Sequence, residues 1–312
     1  MALLSLAIPT NGIIEWVFPV LDSIYRQSVD ENLYEVIVTD NGGNDLFYNK
    51  MLEYKKKHRN LIYQRNESKL FMNQIEAFKL ASGEYIKFVN HRTKVRDGSL
   101  QYLVEFVEKN INDRPITYFL NGIENKQKKV KVVNPFDSFV YELSYNSSWS
   151  GGVGVWKNDF EILEKSGNIM RYNGLFPHLA FVFIPGDNRK YFVDNKKIFD
   201  EIPNNTVKKG KYDLFRAFGV DYLNAIKGLL HEKYIAFDTY NHIKNDNQKF
   251  IENLYAEYVI LHKSCSYDLS SAKKSLNQYY SYYEIRKNAR RIAINRIIGK
   301  VKKMGRRSNN AK

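Results

Sequence analysis

The stretch Gly83–Gly98, GEYIKFVNHRTKVRDG, holds the residues whose types and spacing could do chemistry. Tyr85, Ile86, Phe88 and Val89 form an apolar run too short for a helix, which predicts a buried strand opened by Gly83. Where that strand must end, the chain turns abruptly polar with Asn90, His91, Arg92, Thr93, Lys94 and Arg96. Ligands of open α/β sheets bind just beyond the carboxyl ends of strands, so this burst is a site candidate. The plainer reading is a solvated loop. Other reaction signatures are missing: there is no Walker A loop, no HExxH, no GxSxG and no internal repeat.

The elements that would position this burst follow from hydrophobic patterning. Leu3–Pro9 is an apolar run ending in Pro-Thr-Asn, a buried strand followed by a loop. Ile13–Gln27 carries Ile13, Trp16, Val17, Val20, Leu21 and Ile24 at helical spacing. Glu35–Thr39 is a second β-branched run, cut off by the turn signal Asp40-Asn41-Gly42-Gly43. A tyrosine-bearing helix over about Asp45–His58, a short strand over Leu61–Gln64 and a helix over Phe71–Ala81 lead into the strand at Gly83–Val89. This β-α-β-α-β-α-β order predicts a parallel sheet with helices on its faces. Leu100–Glu108 then reads as a helix, Ile116–Leu120 as a strand and Lys126–Lys131 as a basic turn in a hairpin-like stretch.

Composition sets outer bounds. The 312 residues are 44% hydrophobic and 14% aromatic, enough for a packed core. The lone Cys265 excludes an internal disulfide framework and a cysteine-based zinc site, and a reducing cytosol is the natural compartment. MALLSLAIPT lacks the basic region of a signal peptide, and no stretch approaches the roughly 18 apolar residues that span a bilayer. The expectation is a soluble or peripheral protein. Net charge is +14, and residues 284–307 hold ten Lys/Arg against Glu284 alone, so +9 of it sits in one segment.

The run LLSLAIPTN, EVIVTDNGGND, GEYIKFVN and DGSL resembles the nucleotide-sugar half of the GT-A glycosyltransferases, in particular the inverting family 2. It covers about the first hundred residues well and the next hundred loosely. The resemblance implies a GT-A, Rossmann-like mixed sheet flanked by helices, and sugar transfer from a nucleotide-diphosphate donor to a glycan acceptor. It places Pro9, Thr10 and Asn11 in a base and ribose pocket and Asp40 as an acceptor of hydrogen bonds from the base. An Asx-turn opening the Asn-Gly-Gly loop is the structural alternative for Asp40. Asn66 and Lys69 fall where the family has polar and basic residues near the diphosphate, although a lysine there is as well explained as a solvated helix start.

The departure from the family lies at its centre. Counting back from Asp97-Gly98, the metal-binding Asp-x-Asp falls on Asn90-His91-Arg92, or one place later, and neither register has a carboxylate. A divalent ion on a diphosphate needs hard anionic oxygens. Asn90 and His91 are weak ligands, and Arg92 repels a cation while gripping phosphate oxygens bidentately. The expectation is therefore a metal-independent donor site with no cofactor, served by Arg92 with Lys69 or Lys94; a decayed site that binds no donor is the rival. In Ser147–Trp156, SSWSGGVGVW, the resemblance makes Gly151, Gly152 and Trp156 acceptor contacts, since glycines admit a sugar and tryptophan stacks on it. A hairpin turn and a core tryptophan are the alternative. The family's catalytic carboxylates correspond to the stretch Arg171–Phe183, where His178 suits a general base; Asp187 is the alternative base.

The C-terminal part, from Tyr212 onward, is expected to be helical and free of catalytic constellations. The expected domains are a GT-A-like domain over 1–210, a helical extension over 211–283 and a basic amphipathic tail over 284–312. The tail suits an anionic bilayer surface, which with the resemblance predicts a peripheral protein at the cytoplasmic face of the membrane acting on a lipid-linked glycan in bacterial surface-polysaccharide synthesis. Nucleic acid is not an expected partner, because no aromatic platform accompanies the charge. A glycosyltransferase-like binding subunit without activity is the rival function.

Overall fold

The computed structural model describes residues 2–123, 130–172, 174–203 and 211–309, without the side chains of residue 70 and of residues 300–309. It divides into two compact units, Met1–Pro203 and Asn204–Lys312. The expected boundary at 210/211 borders residues outside those described.

The first unit is built on β1 (Leu4–Thr10), β2 (Tyr34–Asp40), β3 (Leu61–Arg65) and β4 (Tyr85–Phe88), which run parallel in the order β3-β2-β1-β4. Every residue of β2 and β4 is buried, as continuous apolar runs in a doubly covered parallel sheet require. The crossovers are α1 (Ile14–Tyr25), α2 (Asp45–Lys55) and α3 (Asn73–Lys79). The helical stripe of α1 buries Trp16, Val17, Val20, Leu21 and Ile24 against this sheet. Glu35 pins the amino end of β4: its carboxylate accepts from Ser5 Oγ at 2.6 Å, Ser82 N at 2.6 Å and Gly83 N at 3.2 Å.

Beyond β4 the chain forms β5 (Thr93–Val95), α4 (Ser99–Asn110), β6 (Ile116–Phe119), β7 (Val130–Val132), α5 (Phe136–Leu143), β8 (Gly154–Trp156), α6 (Lys157–Lys165), α7 (Leu179–Val182), β9 (Tyr191–Asp194) and β10 (Phe199–Glu201). β8 joins the main sheet antiparallel to β4, with Tyr85 opposite Trp156. β6, β9 and β7 make a second sheet, β10 pairs with β5, and a bridge between Tyr118 and Val153 ties β6 to the approach to β8. The result is the mixed sheet flanked by helices that the sequence predicts. Of the basic turn Lys126–Lys131, residues 126–129 lie outside the described ones.

The second unit is helical: α8 (Leu214–Arg216) runs through a π-helical turn into α9 (Tyr222–His231), followed by α10 (Phe237–Tyr255), α11 (Ala272–Leu276) and α12 (Tyr282–Asn309). The basic tail is not separate from it. Ile285, Ala289 and Ala293, four residues apart on one face of α12, are buried, and Asn288 donates to Glu252 of α10 at 2.8 Å. Ile297 continues that stripe one turn past Ala293, Ile294 and Ile298 lie round the helix from it, and all three are exposed.

Candidate functional site at the carboxyl ends of β1, β2 and β4

Thr10, the last residue of β1, is the hub. Its carbonyl accepts from Asn41 N at 3.1 Å and from Asn73 Nδ2 at 2.9 Å, and its Oγ1 accepts from Gly12 N at 3.2 Å. The same hydroxyl meets His91 Nδ1 at 2.8 Å. Asn73, at the start of α3, also donates to Thr39 O and accepts from Asn66 Nδ2, so one side chain closes the ends of β1 and β2 together. Thr10, Asp40, Asn66, Asn90, His91 and Arg92 thus meet at one edge of the sheet. Pro9 is half-buried, while Asn11 and Lys69 are exposed at its mouth.

The turn after β4 is held by its own backbone. Asn90 Oδ1 accepts from Arg92 N at 3.0 Å, Asn90 O accepts from Thr93 N, and Ile202 N donates to Arg92 O at 2.9 Å. Above it lies Trp16, with the Arg92 guanidinium 5.3 Å from its ring and the His91 ring edge-on at 5.0 Å. Burial and the adjacent Arg92 charge push the His91 imidazole down to about 3, so it is neutral. Arg92 makes no ion pair among the described residues.

Asp40 departs from the expected role. Its side chain is fully enclosed, Oδ1 accepting from Gly42 N at 2.8 Å and Oδ2 from Tyr63 OH at 3.1 Å, with Arg65 Nε 3.7 Å away. This is the Asx-turn alternative, and in this arrangement the carboxylate has no face for a base. Burial pushes its acidity weaker than usual, against the opposing pull of those donors. Asn66 is likewise spent on Asn73 and on the backbone and hydroxyl of Ser68.

The acceptor residues are corrected too. Trp156 is 1% exposed, donates Nε1–H to Pro115 O at 2.9 Å and packs edge-on against Tyr85, so it is a core tryptophan with no face for a sugar. Gly151 and Gly152 are buried, and a Cβ on them would meet the ring of Trp149 at 2.3 Å or that of Tyr118 at 2.2 Å. They make room for the protein's own aromatics.

Neither proposed base stands in the open site. His178 is 1% exposed, its Nε2 bonded to Ser147 O at 3.1 Å, and burial pushes it down to about 4. Asp187 is exposed in the turn before β9. β9 runs parallel to β6, and the Trp156–Pro115 hydrogen bond sets the amino end of β6 beside Tyr85. Asp187 therefore lies toward the end of the strands opposite Asn90.

Sequence reasoning missed Trp16, Asn73, Trp149 and Lys87. Lys87 was legible as a charge inside an apolar run. It is fully buried in β4, its Nζ donating to Phe88 O at 3.1 Å, Gly151 O at 2.7 Å and Val153 O at 2.8 Å, so it ties the glycine loop to β4. Tyr118 OH shares its one proton between the carbonyls of Asn146 and Trp149 in the same loop. Trp149, half-buried beside Gly151, is the tryptophan nearest the surface there.

Residues 5–147 match the model of Glycosyl transferase family 2. A poly(ribitol-phosphate) beta-glucosyltransferase of Bacillus spizizenii is 26% identical over 137 residues, covering 42% of this chain and 22% of that protein. The match therefore spans less than a quarter of the curated relative. Crystal structures of S. aureus TarS 1-349 share the fold: one with TM-score 0.52 at 15% identity covers 95% of this chain and 92% of the other. The UDP complex gives 0.52 at 15% identity over 87% and 77% of the two chains, and the UDP-GlcNAc complex 0.51 at 16% identity over 93% and 92%. Residues 5–147 of the first unit are thus similar to Glycosyl transferase family 2, and the strand order and carboxyl-edge site above share the fold of the TarS structures.

Proposed function

We propose that this protein transfers a sugar from a UDP-sugar to a hydroxyl of a polyol-phosphate polymer of the cell-wall type, the chain being lipid-linked at the membrane. The observation that carries the reading is the convergence of Thr10, His91 and Arg92 at the carboxyl ends of β1 and β4, within the segment that matches the family. The relatives add the chemical class: one is a poly(ribitol-phosphate) beta-glucosyltransferase, and TarS has been solved with UDP and with UDP-GlcNAc. In the reaction the acceptor oxygen attacks the anomeric carbon opposite the diphosphate and inverts it. The new C–O bond forms as the anomeric C–O bond to the diphosphate breaks, the electron pair leaves with the diphosphate oxygen, and the hydroxyl proton passes to solvent water. On the same reading α12 brings the protein to the cytoplasmic face of an anionic membrane, through Ile294, Ile297 and Ile298 beside Arg290 and Arg291.

The test incubates the full chain with radiolabelled nucleotide sugars and poly(ribitol phosphate), and reads label in polymer and free UDP. Incorporation from at least one UDP-sugar is expected, with the anomeric configuration inverted by NMR. A second reading, a donor-binding subunit without transfer, draws on the missing carboxylates at residues 90–92 and on the enclosed His178. It expects nucleotide binding with no label transferred from any donor.

A further inference from the structure

We propose that the turn Asn90-His91-Arg92 grips the donor diphosphate directly, with the Arg92 guanidinium and the His91 Nε2–H in the position that a metal-binding Asp-x-Asp would occupy. This rests on the nucleotide-sugar reading above. A divalent cation does not fit the groups present. None of the three residues is a carboxylate, the Asn90 amide oxygen already accepts from Arg92 N, and His91 Nδ1 is taken by Thr10. The Asp40 carboxylate is enclosed with both oxygens engaged. Among the described residues no group of three or more His, Cys, Asp or Glu could hold a metal ion. A metal on a diphosphate requires hard oxygen ligands, and this turn supplies a fixed positive charge instead.

The same groups suit an anion. Thr10 Oγ1 accepts from Gly12 N and keeps its O–H free to donate to His91 Nδ1. When that O–H donates to Nδ1, the ring proton sits on Nε2, which has no hydrogen-bond partner among the described residues. The neutral imidazole is a donor that does not give up its proton. Beside it the Arg92 fork, without a carboxylate partner among the described residues, can bind two phosphate oxygens at once. Trp16, 4% exposed, is the positioning residue for both: its ring carries the guanidinium on one contact and the imidazole on another. As the bond from sugar to phosphate breaks, the charge gathering on the leaving oxygen meets a cation already in place.

Calorimetric titration of the full chain with uridine, UMP and UDP, in EDTA and then in manganese, tests this. UDP should bind in EDTA, more tightly than uridine, with affinity changed less than about twofold by manganese. Arg92→Ala should weaken UDP by about 10- to 100-fold and leave uridine unchanged, the range for losing a charged hydrogen-bonding group. Arg92→Gln, which keeps a flat side chain over Trp16, should lose nearly as much if charge is what matters, and Arg92→Lys should recover part. Trp16→Leu should weaken UDP with little change for uridine. UDP binding only with manganese, or Arg92 variants that weaken uridine and UDP equally, would overturn the grip and leave the donor reading intact. No nucleotide bound under any condition would remove both.

Discussion

Lys87 carries an ammonium into the middle of a sheet, and its surroundings explain how. Burial pushes it well below the usual lysine range, with the Asp194 charge acting the other way. Three carbonyls accept from Nζ, which matches the three protons of an ammonium, and the rings of Phe119 and Phe199 lie 5.0 and 5.2 Å away. Lys87→Met leaves the Phe88, Gly151 and Val153 carbonyls against an apolar chain. Unfolding free energy should fall by about 3–5 kcal/mol in urea titration, the range for breaking a buried charged group's contacts. A loss below about 1 kcal/mol would mean that the ammonium adds nothing net to the loop's anchorage. His178 gives a pH signature. Its folded value of about 4 lies below the ordinary histidine value of about 6.5, so the unfolded chain takes up the proton first. Its contribution to stability is complete above about pH 6.5 and is lost as pH falls toward 4, at up to about 1.4 kcal/mol per pH unit. His178→Gln should lose less stability than the parent between about pH 7 and pH 5, a comparison in which the other titrating groups cancel. Identical losses would show that the imidazole is open to solvent.

At the scale of elements, the loop before β8 is set from inside. Five of its carbonyls, from Asn146 to Val153, accept from Tyr118, His178 and Lys87, each on a different element or segment. The glycines let those aromatic rings come close. Gly152→Ala puts a methyl 2.2 Å from the Tyr118 ring, which is tied by its hydroxyl and cannot swing away. A destabilisation of about 1–3 kcal/mol is expected, the usual cost of overpacking. Gly43→Ala, with nothing within 4 Å of the added carbon, is the matched control and should stay within about 0.5 kcal/mol of the parent. Equal effects at both positions in thermal melts would sink the account of the loop.

The whole molecule concentrates its charge. Residues 284–307 carry +9 of the +14, on a helix whose first turns are packed by Ile285, Ala289 and Ala293 while Ile294, Ile297 and Ile298 face outward. Among the described residues no helix is long and apolar enough to cross a membrane. Exposed isoleucines next to arginines make a surface that can enter a headgroup layer, each cation near an anionic surface adding roughly 1 kcal/mol. Replacing all three isoleucines by serine in the full chain should leave its thermal midpoint unchanged. It should also sharply reduce co-sedimentation with phosphatidylserine vesicles at moderate salt. Undiminished sedimentation of the serine variant would leave only charge, or another surface, as the membrane contact.

Much of this fold is legible locally. Continuous apolar runs such as EVIVT and YIKF demand a sheet covered on both faces, and the helical stripe of residues 13–27 demands a crossover helix. The position of the polar burst at Asn90–Arg92 follows from where the strand must stop, and the tail's charge from counting. These features depend on about ten neighbouring residues at a time. Site membership does not. Trp16 and Arg92 meet across most of the first sheet's sequence, and Lys87 reaches Gly151 over a separation of 64 residues. Only such contacts decide that Trp156 is core and Trp149 half-buried, that Asp40 is enclosed, and that Asp187 lies toward the other end of the strands. A residue's type states what it can bond to; the packing around it decides whether that bond goes to the protein or to a ligand.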